Sequence, residues 1–229
     1  MKKTVSHITA SILLASQLVT SSAVFAFSGT LGAAESLADQ GIITKQSDTK
    51  NYQLLKPIIR QEAIAVVGKA SGVVPSEDNG YTCRGVFADV SEGWVCRAVE
   101  LSADAGIVDK RNTRFRPRDK VSYFEAAVMS LKSSCINPGH ALSGSNDRER
   151  ILARISEAGV QIDLKNQSKP ITRGDFFYFV ATVRDYANSN PEQIDKSQAG
   201  CTPTEEYKTG NLSLQIPSDW EKTIIESGN

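Results

Sequence analysis

Histidine is almost missing from this chain: two occur in 229 residues, and only His140 lies beyond the first 26. Ser-His-Asp or Cys-His catalysis needs an imidazole as base. His140 sits in a Pro138-Gly139-His140 turn with no nucleophile motif beside it. There is also no Gly-rich phosphate loop, no His-Glu-x-x-His and no Gly-x-Ser-x-Gly. No cysteine pair has zinc-knuckle separation, so neither a metal nor a cofactor is expected. A basic surplus is missing as well. Setting aside Lys2 and Lys3 leaves 24 basic against 26 acidic residues, which gives no electrostatic case for nucleic acid or an anionic membrane. The local run Lys110-Arg111, Arg114, Arg116 and Arg118 reads as a solvated loop. Past the amino terminus the longest apolar stretch, Phe176 to Val183, is far short of the roughly 20 residues a bilayer requires, so no transmembrane segment is expected there.

What is present begins with a leader. Lys2 and Lys3 precede an apolar stretch from Ile8 to Val19 and a Ser-rich segment ending Val24-Phe25-Ala26, the pattern of a secretory signal peptide over 1–26. Cleavage after Ala26 would start the exported chain at Phe27 and leave 203 residues, enough for one large domain or several small repeats sharing a core. All four cysteines, Cys83, Cys96, Cys135 and Cys201, lie in that part, and an even count in an oxidising compartment favours disulfides. Cys83 and Cys96 bracket the Phe87-Asp89-Trp94 turn and are expected to pair, which leaves Cys135 with Cys201. Peptide mapping without reduction distinguishes this from the other two connectivities.

The chain repeats itself. Ala34-Glu35-Ser36-Leu37-Ala38-Asp39-Gln40-Gly41-Ile42-Ile43 is echoed by Val99-Glu100-Leu101-Ser102-Ala103-Asp104-Ala105-Gly106-Ile107-Val108, and more faintly by Leu152 to Val160. Each predicts a helix stopped by a glycine in the left-handed region, with the next Ile or Val folding back on the apolar face. Ile151, Leu152, Ile155 and Ala158 predict one buried stripe. A second helix start follows each glycine: Ile58 to Glu62, Val121 to Glu125, and Ile171 to Asp175. Ser122 and Glu125 make a capping box, Thr172 and Asp175 a shorter-armed one, and Ile59 lacks the hydroxyl. Phe124, Val128, Leu131 and Cys135, and Phe176, Phe179, Val180 and Val183, are expected to face the core. One such hairpin buries too little surface to stand alone, so three should share a core.

Taken in order, helix, Gly-Ile-Ile, aromatic-Pro loop and Thr-Arg-Ala-Glu-like helix start resemble S-layer homology domains over roughly Phe27 to Asn188. The second repeat matches best, with Phe87-Ala88-Asp89-Val90, Trp94, Gly106-Ile107-Val108, Phe115-Arg116-Pro117 and Val121 to Glu125. The third has Ile171-Thr172-Arg173-Gly174-Asp175 without a Phe-Pro element, and the first has Tyr52 seven residues before Ile59 but no leading Phe-Asp-Val. The resemblance implies a mainly α fold: three helix-loop-helix repeats, 27–79, 80–139 and 140–189, in a pseudo-three-fold bundle, followed by an extended tail over 190–229. In that tail the alternation of Leu212, Leu214 and Ile216 suggests a strand or an arm. It also implies a non-catalytic module of the secreted cell surface, binding a cell-wall or envelope polysaccharide, sometimes acidic, in grooves between repeats.

Four residues are candidates for that binding. Arg60 and Arg173 hold the motif's arginine place, where a planar guanidinium beside free helix N-terminal amides would suit a carboxylate. An ordinary surface ion pair is the equal alternative. Tyr123 stands where the second repeat should have arginine, and would stack on a sugar instead of pairing with an acid. Trp94 would line the groove or, as is favoured, fill the core. Asp89 is expected to turn the chain ahead of its helix. Glu62, Glu125 and Asp175 read as caps before they read as the paired carboxylates of a glycoside hydrolase, so no enzyme is expected. A structural envelope protein binding other proteins is the principal alternative.

Overall fold

Gly, Ser and Thr punctuation divides the chain into helices at the places the repeats foretell. In the computed structural model, which describes residues 29–75, 80–91, 93–137, 147–197 and 201 and the backbone of 204–209 and 212–217, these are α1 (Gly29–Asp39), α2 (Arg60–Ala70), α3 (Gly93–Asp104), α4 (Tyr123–Ser133), α5 (Asp147–Glu157) and α6 (Arg173–Ser189). The fold is mainly helical. The leader over 1–26 and His140 lie outside the described residues.

The three outer helices, α1, α3 and α5, end as the glycines predict. Gly41, Gly106 and Gly159 have φ of 70°, 74° and 89°. The next amides, of Ile42, Ile107 and Val160, reach back to the carbonyls of Leu37, Ser102 and Ile155 at 2.9, 2.9 and 3.1 Å, which satisfies carbonyls the helix itself leaves open. The starts of α2, α4 and α6 also follow the sequence. Ser122 Oγ accepts from the Glu125 amide, and Glu125 Oε2 accepts from the Ser122 amide at 2.9 Å. Thr172 Oγ1 accepts from the Asp175 amide at 3.1 Å. Ile59 offers no oxygen, yet Glu62 still accepts from its amide at 3.4 Å.

Packing is not within each hairpin. The inner helices α2, α4 and α6 touch one another, while α3 lies on α2, α5 on α4 and α1 on α6. α3 and α5 thus each cover the inner helix that precedes them in the chain, and α1 covers α6. The segments before the inner helices lock in a cycle: the Ile58 amide donates to Ile171 O (3.1 Å), Ile171 to Val121 O (2.8 Å) and Val121 to Ile58 O (3.1 Å). A second cycle joins the helix starts to the loops. Arg60 and Gln61 amides donate to Asp119 and Pro117 carbonyls, Tyr123 and Phe124 to Lys169 and Gln167, and Arg173 and Gly174 to Lys56 and Leu54. A side chain at Gly174 would crowd this seam, since its Cβ would lie 3.0 Å from Thr30 Cβ and 3.2 Å from Leu54 O.

Phe87, Phe115, Phe176, Phe177, Leu37, Ile58, Ile64, Leu131, Ile155 and Ile171 are among the large side chains in one continuous core. Phe176, Phe179, Val180 and Val183 are buried as expected. Phe124, Val128 and Cys135 are not; they are half-buried, Cys135 lying past the end of α4. Of the expected α5 stripe, Ile155 and Ala158 are buried while Ile151 and Leu152 are half-buried. Because α4 is central, its buried surface is Ala126, Ala127, Met129, Ser130, Leu131 and Ser133. Phe124 falls at the edge, where the Arg148 guanidinium lies 4.4 Å from its ring centroid.

Both disulfides form as expected, Cys83–Cys96 and Cys135–Cys201, with Cα separations of 5.8 and 5.6 Å. The second ties the tail to the end of α4, where the Asp195 amide also donates to Cys135 O at 2.7 Å. Beyond it, β1 (Thr204–Thr209) and β2 (Leu212–Pro217) pair antiparallel, so the alternating Leu-Leu-Ile stretch is a strand.

Candidate functional site

The first residue of each inner helix reaches the third residue of the next. Arg60 Nη1 pairs with Glu125 Oε1 at 2.7 Å, Arg173 Nη1 with Glu62 Oε2 at 2.9 Å, and Tyr123 donates its hydroxyl to Asp175 Oδ2 at 2.5 Å. Burial and the neighbouring Asp175 push the Tyr123 phenol up to about 12. The two arginines are alike in further detail. Arg60 Nε donates to Phe115 O at 3.0 Å with its guanidinium 5.3 Å from the Phe115 ring centre. Arg173 Nε donates to Tyr52 O at 3.1 Å and lies 5.6 Å from the Phe177 ring centre. Carboxylates of Glu62, Glu125 and Asp175 are therefore spread over three junctions and each is already engaged, an arrangement unlike two carboxylates flanking one bond.

The expectation that the arginines sit beside free helix amides is corrected here. The first two amides of each inner helix are taken by carbonyls of a neighbouring loop, and the third amides of α4 and α6 by Ser122 and Thr172. No open N-terminal anion cradle is left at α4 or α6.

One junction opens into a groove of about 340 Å³. It lies between the chain leaving α1 (Ile42, Ile43, Thr44), one face of α2 (Glu62, Ala65, Val66, Lys69), the start of α3 (Trp94) and the start of α6 (Arg173, Phe177). Trp94 is 52 % exposed, which corrects the preference for core filling. As the second residue of α3 its indole stands over the groove, while Val95 and Cys96 take the buried places. The structure thus brings Trp94 and Arg173 together, and places Arg60 and Tyr123 at the other two junctions. Lys69 was not singled out from the sequence. Its signal was available in the i, i+3, i+4, i+7 spacing of Glu62, Ala65, Val66 and Lys69, which puts all four on one helix face. A second, more apolar hollow of about 410 Å³ is lined by Leu31, Leu54, Leu55 and Lys56 among others, with Leu55 91 % exposed.

Asp89 does more than turn the chain. Its oxygens accept from the Phe115 and Arg116 amides at 2.8 and 2.9 Å, which pins the aromatic-Pro loop beside α3. Burial pushes this carboxyl up, but those two amides outweigh it and hold it below its ordinary value. Glu100, invisible to motif reading, is 2 % exposed and accepts from the Tyr81 hydroxyl, the Arg84 and Val86 amides and Arg84 Nε. Its carboxyl is likewise held low by these donors against the cost of burial.

By class this is a mainly helical protein with interlocked helix starts and a groove lined by Trp94, Arg173 and Lys69; among the described residues no helix is long and apolar enough to cross a membrane. Residues 86–127, which run from the Asp89 loop through α3 to the start of α4, match the family model of the S-layer homology domain. A stretch of 100 residues is 28% identical to part of the exoglucanase XynX of Acetivibrio thermocellus, covering 43% of this chain and 9% of that protein. The chain therefore spans only a small part of that relative's length.

Proposed function

We propose that this protein is a non-catalytic, secreted attachment module of the cell envelope, built from three S-layer homology-like repeats in a pseudo-three-fold arrangement, which holds a cell-wall-linked polysaccharide in the groove between α2, α3 and α6. S-layer homology domains generally anchor proteins to cell-wall polysaccharide, and residues 86–127 match that family. The two hydrogen-bond cycles around Ile58, Val121 and Ile171 support three equivalent units. The observation that carries the binding reading is the half-exposed Trp94 sharing one groove with Arg173 and Lys69. An exposed indole gives a flat apolar face for a sugar ring, and convergent polar groups fix its orientation.

The test is a pull-down of the secreted chain on purified wall material, before and after chemical removal of its polysaccharide. Retention on intact wall and loss on stripped wall is expected, with Trp94→Ala lowering the retained fraction about tenfold. Equal retention on both would favour the protein-binding alternative.

A further inference from the structure

The chain has no net formal charge, yet in the folded protein one end of the helix bundle collects cations. The bond cycle through Ile58, Val121 and Ile171 sets the starts of α2, α4 and α6 side by side, so the loops leading into them share that end. Each loop is held there by a neighbouring helix start: carbonyls of Leu54 and Lys56 accept from α6, those of Pro117 and Asp119 from α2, and those of Gln167 and Lys169 from α4. Over 48–57, 115–120 and 163–170 stand seven Lys or Arg against three Asp, and all seven cations are exposed. Asp48 and Asp163 turn their carboxylates onto the amides of Lys50 and Lys165, both at 2.9 Å, and Asp119 lies 3.6 Å from Arg116. Lys50, Lys56, Lys120, Lys165 and Lys169 make no ion pair among the described residues. The same loops carry the two most exposed large apolar side chains among the described residues, Leu55 at 91 % and Leu164 at 63 %. Leu55 shares its hollow with Leu31, Leu54, Lys50 and Lys56, and Leu164 lies with Lys165 in the turn over 164–168. A soluble polyanion would engage the lysines and give the leucines no partner. A bilayer boundary takes both, the apolar side chains below the headgroups and the ammonium groups among their phosphates.

We infer that this end of the bundle docks on the surface of an anionic phospholipid bilayer, with Leu55 and Leu164 entering the headgroup boundary and the lysines around them meeting lipid phosphates. Two leucines bury little apolar surface, so the attachment is reversible and depends on the charge. It uses neither Trp94 nor Lys69 nor Arg173, and is therefore separate from the polysaccharide reading above.

The test is co-sedimentation with vesicles of phosphatidylcholine alone or of equal parts phosphatidylcholine and phosphatidylglycerol. The chain from Phe27 onward keeps every residue of the described fold and leaves out the apolar stretch Ile8 to Val19. It should bind the mixed vesicles and not the neutral ones, and high salt should release it. The double variants Leu55→Ser with Leu164→Ser, and Lys56→Gln with Lys165→Gln, should each raise the lipid concentration for half-binding about tenfold at an unchanged melting temperature. Lys196→Gln should change nothing, since Lys196 is an exposed lysine next to Asp195, whose amide bonds Cys135 past the other end of α4. Absence of binding to the mixed vesicles, equal binding to the neutral ones, or full binding by the folded leucine variant overturns the assignment. The last of these would make the surface a patch for a soluble polyanion. None of these results touches retention on wall material, and loss of that retention in Trp94→Ala with vesicle binding intact would separate the two surfaces.

Discussion

Glu100 shows how a single carboxylate organises a loop that has no regular structure of its own. Sitting on α3 four residues after Cys96, it gathers the amides of Arg84 and Val86 and the hydroxyl of Tyr81, while Cys96 bonds Cys83 of the same loop. Glu100 and Asp89 both have folded pKa values below the ordinary ones. The folded chain therefore releases protons that the unfolded chain keeps. Their stabilising contribution is complete above the unfolded pKa, near 4, and is lost as pH falls through the lower folded values. Thermal melts should be nearly flat from pH 7 to about 5 and drop steeply below about 4. Glu100→Gln should lower stability at pH 7 by roughly 1 to 3 kcal/mol, because a charged acceptor of buried donors is lost, and should flatten the acid limb. An unaltered acid limb in that variant would mean that other groups govern it.

Between elements, the contact of α2 with α3 turns on Gly68. An added Cβ there would lie 2.5 Å from Val74 Cγ2 and 2.9 Å from Ser102 Oγ. Helix propensity alone favours alanine at this position by about 1 kcal/mol. Overpacking a close helix crossing costs about 1 to 3 kcal/mol, and the tighter of these contacts is to a buried β-branched side chain that has little room to move. Gly68→Ala should therefore lower the melting temperature, and Val74→Ala in the same chain should restore part of it. A higher melting temperature for Gly68→Ala alone would show that the crossing yields. Since α3 carries Trp94, any shift at this crossing also moves the groove wall.

For the whole molecule, the packing of α3 on α2 has a consequence for the matched segment. α3 finds its packing surface on α2, and the first two amides of α4 find their acceptors at Lys169 and Gln167. Both partners lie outside 80–139. A fragment of 80–139 should consequently show no cooperative thermal transition by circular dichroism, although it contains the segment that matches the S-layer homology domain, whereas the full chain should unfold in one step. A cooperative melt of the fragment would mean that α3 and α4 have a packing of their own.

Local features were legible in the sequence because they rest on chemistry within a few residues. Gly41, Gly106 and Gly159 end helices through their backbone freedom, Ser122 and Thr172 start them through a hydroxyl at the right distance, and Cys83 and Cys96 pair across the turn they bracket. The alternation of Leu212, Leu214 and Ile216 left a strand or an arm open, and pairing with Thr204–Thr209 makes it a strand. What the sequence left open depends on partners distant along the chain. Phe124 loses its core place because α4 is surrounded on other sides, and Trp94 stands at the surface because Val95 and Cys96 fill the space beside it. The arginines of the motif meet Glu125 and Glu62 across the junctions, 65 and 111 residues away. Spacing within a repeat carries no record of that charge compensation, because each ion pair joins helices that are far apart along the chain and meet only once it is folded.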